Sequence, residues 1–107
     1  MPILGCSEIR TIRADQLWLS SAYGEDTVGI HFNWQKKWDG IEPFLPVLEL
    51  ALTPFGARPH LGKLFAMSPV GLSEVYPRWK DFRELVRRFD PVGKFSNRFV
   101  EWYVTGA

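Results

Sequence analysis

Apolar and polar residues alternate strictly through Val28-Gly29-Ile30-His31-Phe32-Asn33-Trp34. Side chains two apart share one face of a strand. The spacing therefore predicts a strand over 27–35 with Val28, Ile30, Phe32 and Trp34 on one side. Gly29, His31 and Asn33 take the other. Ser7-Glu8-Ile9-Arg10-Thr11-Ile12 repeats the alternation and sets Glu8 beside Arg10, so a strand is expected over 2–12. Paired with matching faces, the two strands would gather Glu8, Arg10, His31 and Asn33 into one polar patch. The outer face of an antiparallel sheet is also polar where it merely meets water, and spacing alone leaves both readings open.

Further along the period lengthens. Ile41, Phe44, Leu45, Leu48, Ala51, Leu52 and Phe55 recur at helical spacing. They predict a helix over 41–53, capped by Asp39 and stopped by Pro54 and Gly56. Pro43 and Pro46 are expected in its first turn or so, because a proline deeper in a helix removes a backbone hydrogen bond. Residues 69–76 read as a short helix, and Pro77 opens another over 78–89. Trp79, Phe82, Leu85, Val86 and Phe89 form the buried stripe of that last helix. Arg78, Lys80, Asp81, Arg83, Glu84, Arg87 and Arg88 form its solvated face. Asp15 is expected to cap a short helical turn over 15–19. Between the helices Pro59 keeps the chain extended around His60, Gly62 admits close approach, and a third strand is expected over 62–66. Lys63 stands in an apolar context there, either snorkelling to water or fixing a positive charge at a site. The pattern as a whole predicts one α+β domain, 1–107, with an antiparallel sheet covered on one face by the helices over 41–53 and 78–89.

Composition narrows the classes. With 46% hydrophobic and 15% aromatic residues, the chain can build a packed core. Thirteen basic against twelve acidic residues leave a net charge of +1, so no field draws nucleic acid or an anionic membrane. Cys6 is the one cysteine, which excludes an internal disulfide and a cysteine-based zinc site. His31 and His60 are too few for a metal cluster, and no metal is expected. No apolar run approaches the ~20 residues that span a bilayer, and Met1-Pro2-Ile3-Leu4 lacks the basic start of a signal peptide. A cytoplasmic location without a membrane partner is expected. The chain enters its first strand almost at once, and since free termini fray, a further portion is expected upstream.

Four stretches carry a family resemblance. The first is Ser7-Glu8-Ile9-Arg10-Thr11-Ile12, followed by Leu17-Trp18-Leu19-Ser20 and Ala22-Tyr23-Gly24. The second is His31-Phe32-Asn33-Trp34, and the third Arg58-Pro59-His60-Leu61-Gly62-Lys63. The last runs from Asp90-Pro91-Val92-Gly93-Lys94-Phe95 to Ser96-Asn97-Arg98-Phe99. In this order, over essentially the whole chain, they resemble the C-terminal quarter of the FAD-linked alditol (xylitol) oxidases. These are relatives of the D-arabinono-1,4-lactone oxidases in the vanillyl-alcohol-oxidase class.

The resemblance implies a fragment of a substrate domain whose FAD-binding domain lies outside this chain, on the same or a companion chain. It implies an oxidase that converts alditols or aldonolactone-type sugars with oxygen, releasing hydrogen peroxide. Glu8 and Arg10 would contact substrate, His31 would serve as base or orienter, and Lys63 would join them. Arg10 and Lys63 would stabilise a developing alkoxide or the charge on reduced flavin. Alditol oxidases usually carry Thr two residues after the motif histidine, where this chain has Asn33, an amide that both donates and accepts. The implied partners are a polyol or sugar substrate and the FAD domain, and the isolated chain is expected to be inactive and to self-associate. The tail residues Phe95, Phe99, Trp102 and Tyr103 are expected to stand uncovered. The alternative is a stand-alone, non-catalytic binding or assembly domain derived from such an oxidase.

Overall fold

The computed structural model describes residues 3–106. Its first element is an antiparallel hairpin of β1 (Leu4–Ile12) and β2 (Thr27–Trp34). Pro2, the first residue of the expected strand, lies outside the described residues. Glu8 stands opposite His31, Ile9 opposite Ile30, and Arg10 opposite Gly29. Directly paired residues share a face, so alternation sorts the hairpin into a polar and an apolar side as expected.

α1 (Trp38–Leu52) follows, then a 3₁₀ turn (Thr53–Phe55) closed by Gly56 at φ 65°. The helix begins earlier than the sequence implies. The Gly40 and Ile41 amides both donate to the Lys37 carbonyl, so Asp39 lies inside the first turn rather than capping it. Pro43 and Pro46 consequently sit within the helix. They remove the amides that would have reached the carbonyls four residues back, and both rings are exposed.

α2 (Pro69–Val75), α3 (Trp79–Phe89) and a closing π-helix (Val100–Thr105) make the body. Ser68 caps α2, its hydroxyl accepting the Gly71 amide at 3.1 Å. Leu72, Tyr76, Trp79 and Val104 are the buried centre, and Phe82, Val86, Leu61 and Phe65 pack around it. The π-helix is held by side chains of α3. Trp79 Nε1 donates to the Tyr103 carbonyl at 3.2 Å, Arg83 Nε to Val104 at 2.6 Å, and Arg87 Nη2 to Thr105 at 3.2 Å. Arg83 and Arg87, expected to be merely solvated, thus satisfy carbonyls that a helix end leaves unpaired.

Two expected elements are replaced by side-chain-held turns. Asp15 forms no helical turn; its Oδ1 accepts the Leu17 amide at 2.9 Å and Oδ2 takes the Ser20 hydroxyl. An aspartate bonding the amide two residues on competes directly with helix. No strand forms over 62–66. The amides of Ala66 and Met67 go instead to Glu49 Oε2, at 2.8 and 3.2 Å, which ties this segment to α1.

The α+β class holds; Trp34 of β2 and Phe44 of α1 meet edge to face, with ring centroids 6.0 Å apart. Beyond that contact Ile9 is 73% exposed and Val28 60%. The opposite end is anchored by the connection 13–26. Arg58 donates to the Ser21 and Tyr23 carbonyls, and Arg78 stacks over Trp18 at 4.6 Å. The radius of gyration is 15.3 Å, where a compact chain of this length gives about 13 Å. The accessible surface is 8058 Å², against about 6,100 Å² for a self-contained globule of this mass.

Candidate functional site

The polar side of the hairpin is built by register. β1 contributes Cys6, Glu8 and Arg10, and β2 contributes His31 and Asn33, with Glu8 against His31 and Cys6 against Asn33. Arg10 Nη2 donates to Glu8 Oε2 at 2.7 Å, both side chains leaving β1 on the same face. The guanidinium stays 74% exposed and the carboxylate 47%. Such an ion pair contributes little to stability, but it presents a fixed positive fork with further free donors. Asn33 Nδ2 donates to Cys6 Sγ at 3.2 Å. One face therefore offers a cation, a carboxylate, an imidazole and a carboxamide.

Lys63 stands in the irregular segment between the 3₁₀ turn and α2. It ends the turn 60–63, its amide donating to the His60 carbonyl at 3.0 Å while His60 Nδ1 accepts the Gly62 amide at 3.0 Å. Its side chain is exposed and makes no hydrogen bond or ion pair to the hairpin among the described residues. The turn rests on the body, where the Tyr76 hydroxyl donates to the Pro59 carbonyl. The register brings Glu8, Arg10, His31 and Asn33 onto one face, and no hydrogen bond or ion pair among the described residues links Lys63 to them.

Two arginines do more than their sequence context indicates. Arg58 has a side chain only 10% exposed, and its Nε donates to the Val75 carbonyl at 2.8 Å. It joins 13–26, 57–68 and α2 in one knot. Arg78 bonds the Tyr23 hydroxyl and Asp81 and covers Trp18. The only sequence signal was Arg58's place inside the third motif, which does not separate a structural role from a catalytic one.

The last motif also has a structural explanation. Asp90 Oδ1 accepts the Lys94 amide at 2.8 Å and Oδ2 the Phe95 amide at 2.9 Å, across Gly93 at φ 69°. A left-handed position favours glycine, so the Asp-Pro-Val-Gly-Lys-Phe run is a turn held by its own aspartate. The apolar hollow beside it, lined by Leu85, Val86, Phe89 and Phe95, has Asp90 as its one polar group, already engaged in that turn.

The D-arabinono-1,4-lactone oxidase family model matches residues 2–103. The chain belongs to this family. An alditol oxidase of Streptomyces is 44% identical over 98% of the chain, and an L-gulono-1,4-lactone dehydrogenase of Mycobacterium tuberculosis is 32% identical over 92%. An L-gulonolactone oxidase of Scyliorhinus torazame is 27% identical over 88%. The chain spans about a quarter of the length of these relatives. By their names the relatives are oxidoreductases of alditols or sugar lactones. No described helix is long and apolar enough to cross a membrane, and no group of three or more metal-ligating side chains occurs among the described residues.

The tail is mixed. Phe95 is 80% exposed and Trp102 is also uncovered, whereas Phe99 and Tyr103 pack against each other and against Phe65 in tilted and edge-on arrangements, with centroids 4.8 to 6.4 Å apart.

Proposed function

We propose that this chain is the substrate-facing C-terminal portion of an FAD-dependent oxidase acting on alditols or aldonolactone-type sugars, with oxygen as acceptor and hydrogen peroxide as product. The observation that carries it is the register-built face of Glu8, Arg10, His31 and Asn33, on a chain whose relatives are named for such oxidations. A polyol offers only hydroxyls, so a site for it needs several donors and acceptors at once. Glu8 accepts from substrate hydroxyls while holding Arg10. Arg10 stabilises negative charge growing on the reacting oxygen. His31, whose imidazole can both donate and accept a hydrogen bond, takes or orients the hydroxyl proton. Lys63 belongs to this reading only if the complete enzyme brings its turn to the hairpin.

These residues do not fit a flavin cradle. The sequence has no glycine-rich phosphate loop, and the polar face is open. Cofactor binding is assigned to the remainder of the enzyme, and this chain is confined to binding, orienting and proton handling. The surface in excess of a self-contained globule gives that remainder a place to dock. The same surface favours a second reading, a non-catalytic assembly module.

The test is a chimera in which this chain replaces the corresponding quarter of the Streptomyces alditol oxidase. The expected result is a protein with a flavin spectrum, bleached anaerobically by a polyol or a sugar lactone and producing peroxide in air. A chimera that takes up flavin but is reduced by neither class leaves the assembly module as the reading. One that never takes up flavin overturns the assignment of this chain to the substrate side.

A further inference from the structure

The run Arg58-Pro59-His60-Leu61-Gly62-Lys63 divides into parts that hold and one that is held out. The Arg58 guanidinium is seated on the Ser21, Tyr23 and Val75 carbonyls, and the Pro59 carbonyl accepts from the Tyr76 hydroxyl. Leu61 packs against the buried centre of the helical body. His60 Nδ1 accepts the Gly62 amide at 3.0 Å, and the His60 carbonyl accepts the Lys63 amide at 3.0 Å. One residue thus ties down both amides that lead into Lys63, one by its side chain and one by its backbone. The Lys63 side chain is exposed and makes no hydrogen bond or ion pair among the described residues.

The His60 ring is fitted to this turn. Asp15 bonds the Leu17 amide, also two residues on, at 2.9 Å, with the short acceptor that such turns ordinarily use. An imidazole is bulkier and needs room. Gly62 supplies it: a Cβ there would lie 3.2 Å from His60 Cε1 and 3.4 Å from Nδ1. Gly62 is not among the glycines at positive φ, so its backbone makes no demand for glycine. The ring does. To accept, Nδ1 must be bare, which puts the ring proton on Nε2.

We propose that His60 is a positioning residue that fixes the backbone of Lys63, so that the lysine serves the substrate face as a charge from a rigid root, with Gly62 as the gap the His60 ring requires. The proposal rests on the substrate-face reading given above, in the version where the complete enzyme brings the 60–63 turn to the hairpin. Arg58 supports that version, since it fastens the same run to the connection 13–26, which joins β1 to β2. A lysine carries its charge on a flexible four-carbon stem, and a loose turn beneath it would spread that charge further. His60 acts through the Lys63 backbone and does not itself touch substrate.

The experiment uses the flavin-loaded chimera and reads anaerobic flavin reduction by whichever of xylitol and L-gulono-1,4-lactone reduces it faster. His60→Ala is expected to slow reduction about fivefold, the scale of one neutral hydrogen bond. Gly62→Ala, which crowds the ring, should slow it in the same direction. His60→Asn should restore the rate to within twofold, because a carboxamide oxygen also accepts an amide two residues on. In a Lys63→Ala background His60→Ala should have no further effect, because the two act as one unit. Should His60→Ala fail to take up flavin, Gly62→Ala with and without Lys63→Ala makes the same comparison. An unchanged rate in His60→Ala overturns the proposal, as does an equal loss with and without Lys63, or a His60→Asn variant as slow as His60→Ala. A Lys63→Ala variant as fast as the parent also overturns it, and a slow Arg10→Ala variant beside it leaves the substrate-face reading standing. An unsubstituted chimera that takes up flavin and is reduced by neither sugar overturns that reading and this inference together, before any variant is made.

Discussion

Arg58 holds Tyr23 by a single geometry: its Nη1 donates to the Tyr23 carbonyl across 2.9 Å while its Nε donates to the Val75 carbonyl across 2.8 Å. The guanidinium is nearly buried and reaches Ser21 and Glu25 as well. One side chain therefore fastens the hairpin's connecting segment to the helical body. Hydrogen bonds from a charged donor contribute about 1.5–3 kcal/mol each, so Arg58→Ala is expected to lower unfolding free energy by about 3 kcal/mol or more. Arg58→Lys should recover little, because an ammonium cannot span the same carbonyls as a planar fork. Urea unfolding of the three proteins checks this; an Arg58→Lys variant as stable as the parent contradicts it.

Tyr76 makes stability fall at high pH. Burial pushes its hydroxyl from 10.0 up to about 12, against the pull of the Arg58 charge. The folded state prefers the neutral phenol, so this contribution is fully present below pH 10. As pH rises from 10 to 12 the unfolded chain ionises first and binds fewer protons, and stability declines. The full effect is on the order of 2–3 kcal/mol. Tyr76→Phe loses the bond to Pro59 and should be less stable at pH 8, by about 1 kcal/mol. Its deficit should shrink or reverse by pH 11.5 in parallel urea titrations.

Asp90 is expected to matter for folding rather than chemistry. Asp90→Ala strands the amides of Lys94 and Phe95, which water partly serves, for an expected loss of about 1–2 kcal/mol. Asp90→Asn keeps one carbonyl acceptor and should fall between. Hydrogen exchange at those two amides should speed up in both variants, more so in the alanine.

Arg10 and Lys63 separate two versions of the site. In the flavin-loaded chimera Arg10→Ala should slow anaerobic flavin reduction more than tenfold, about 1.4 kcal/mol or more of barrier. If the complete enzyme carries the Lys63 turn to the hairpin, Lys63→Ala should do the same. An effect of Arg10→Ala alone would confine the site to the hairpin face, and unchanged rates in both would mark the pair as solvated surface.

Alternation in the sequence determined the hairpin's faces. A period of two dictates which side each residue leaves, so Glu8, Arg10, His31 and Asn33 were bound to share a face once β1 and β2 paired in phase. Helical spacing likewise determined the existence of α1 and α3, and Pro69 and Pro77 marked the starts of α2 and α3. Local periodicity says nothing about what lies across space from a face. Only the tertiary structure decided that Val28 and Ile9 remain open to solvent. It also decided that Arg83 and Arg87 turn to the carbonyls of the π-helix, and that Glu49 captures the amides that a third strand would have needed. Those outcomes depend on which donor finds an unpaired acceptor from a distant segment. The Gly5 bulge belongs to the same class: one extra residue between Leu4 and Cys6 puts Leu4 out of phase with the rest of β1, and only the partner strand reveals it.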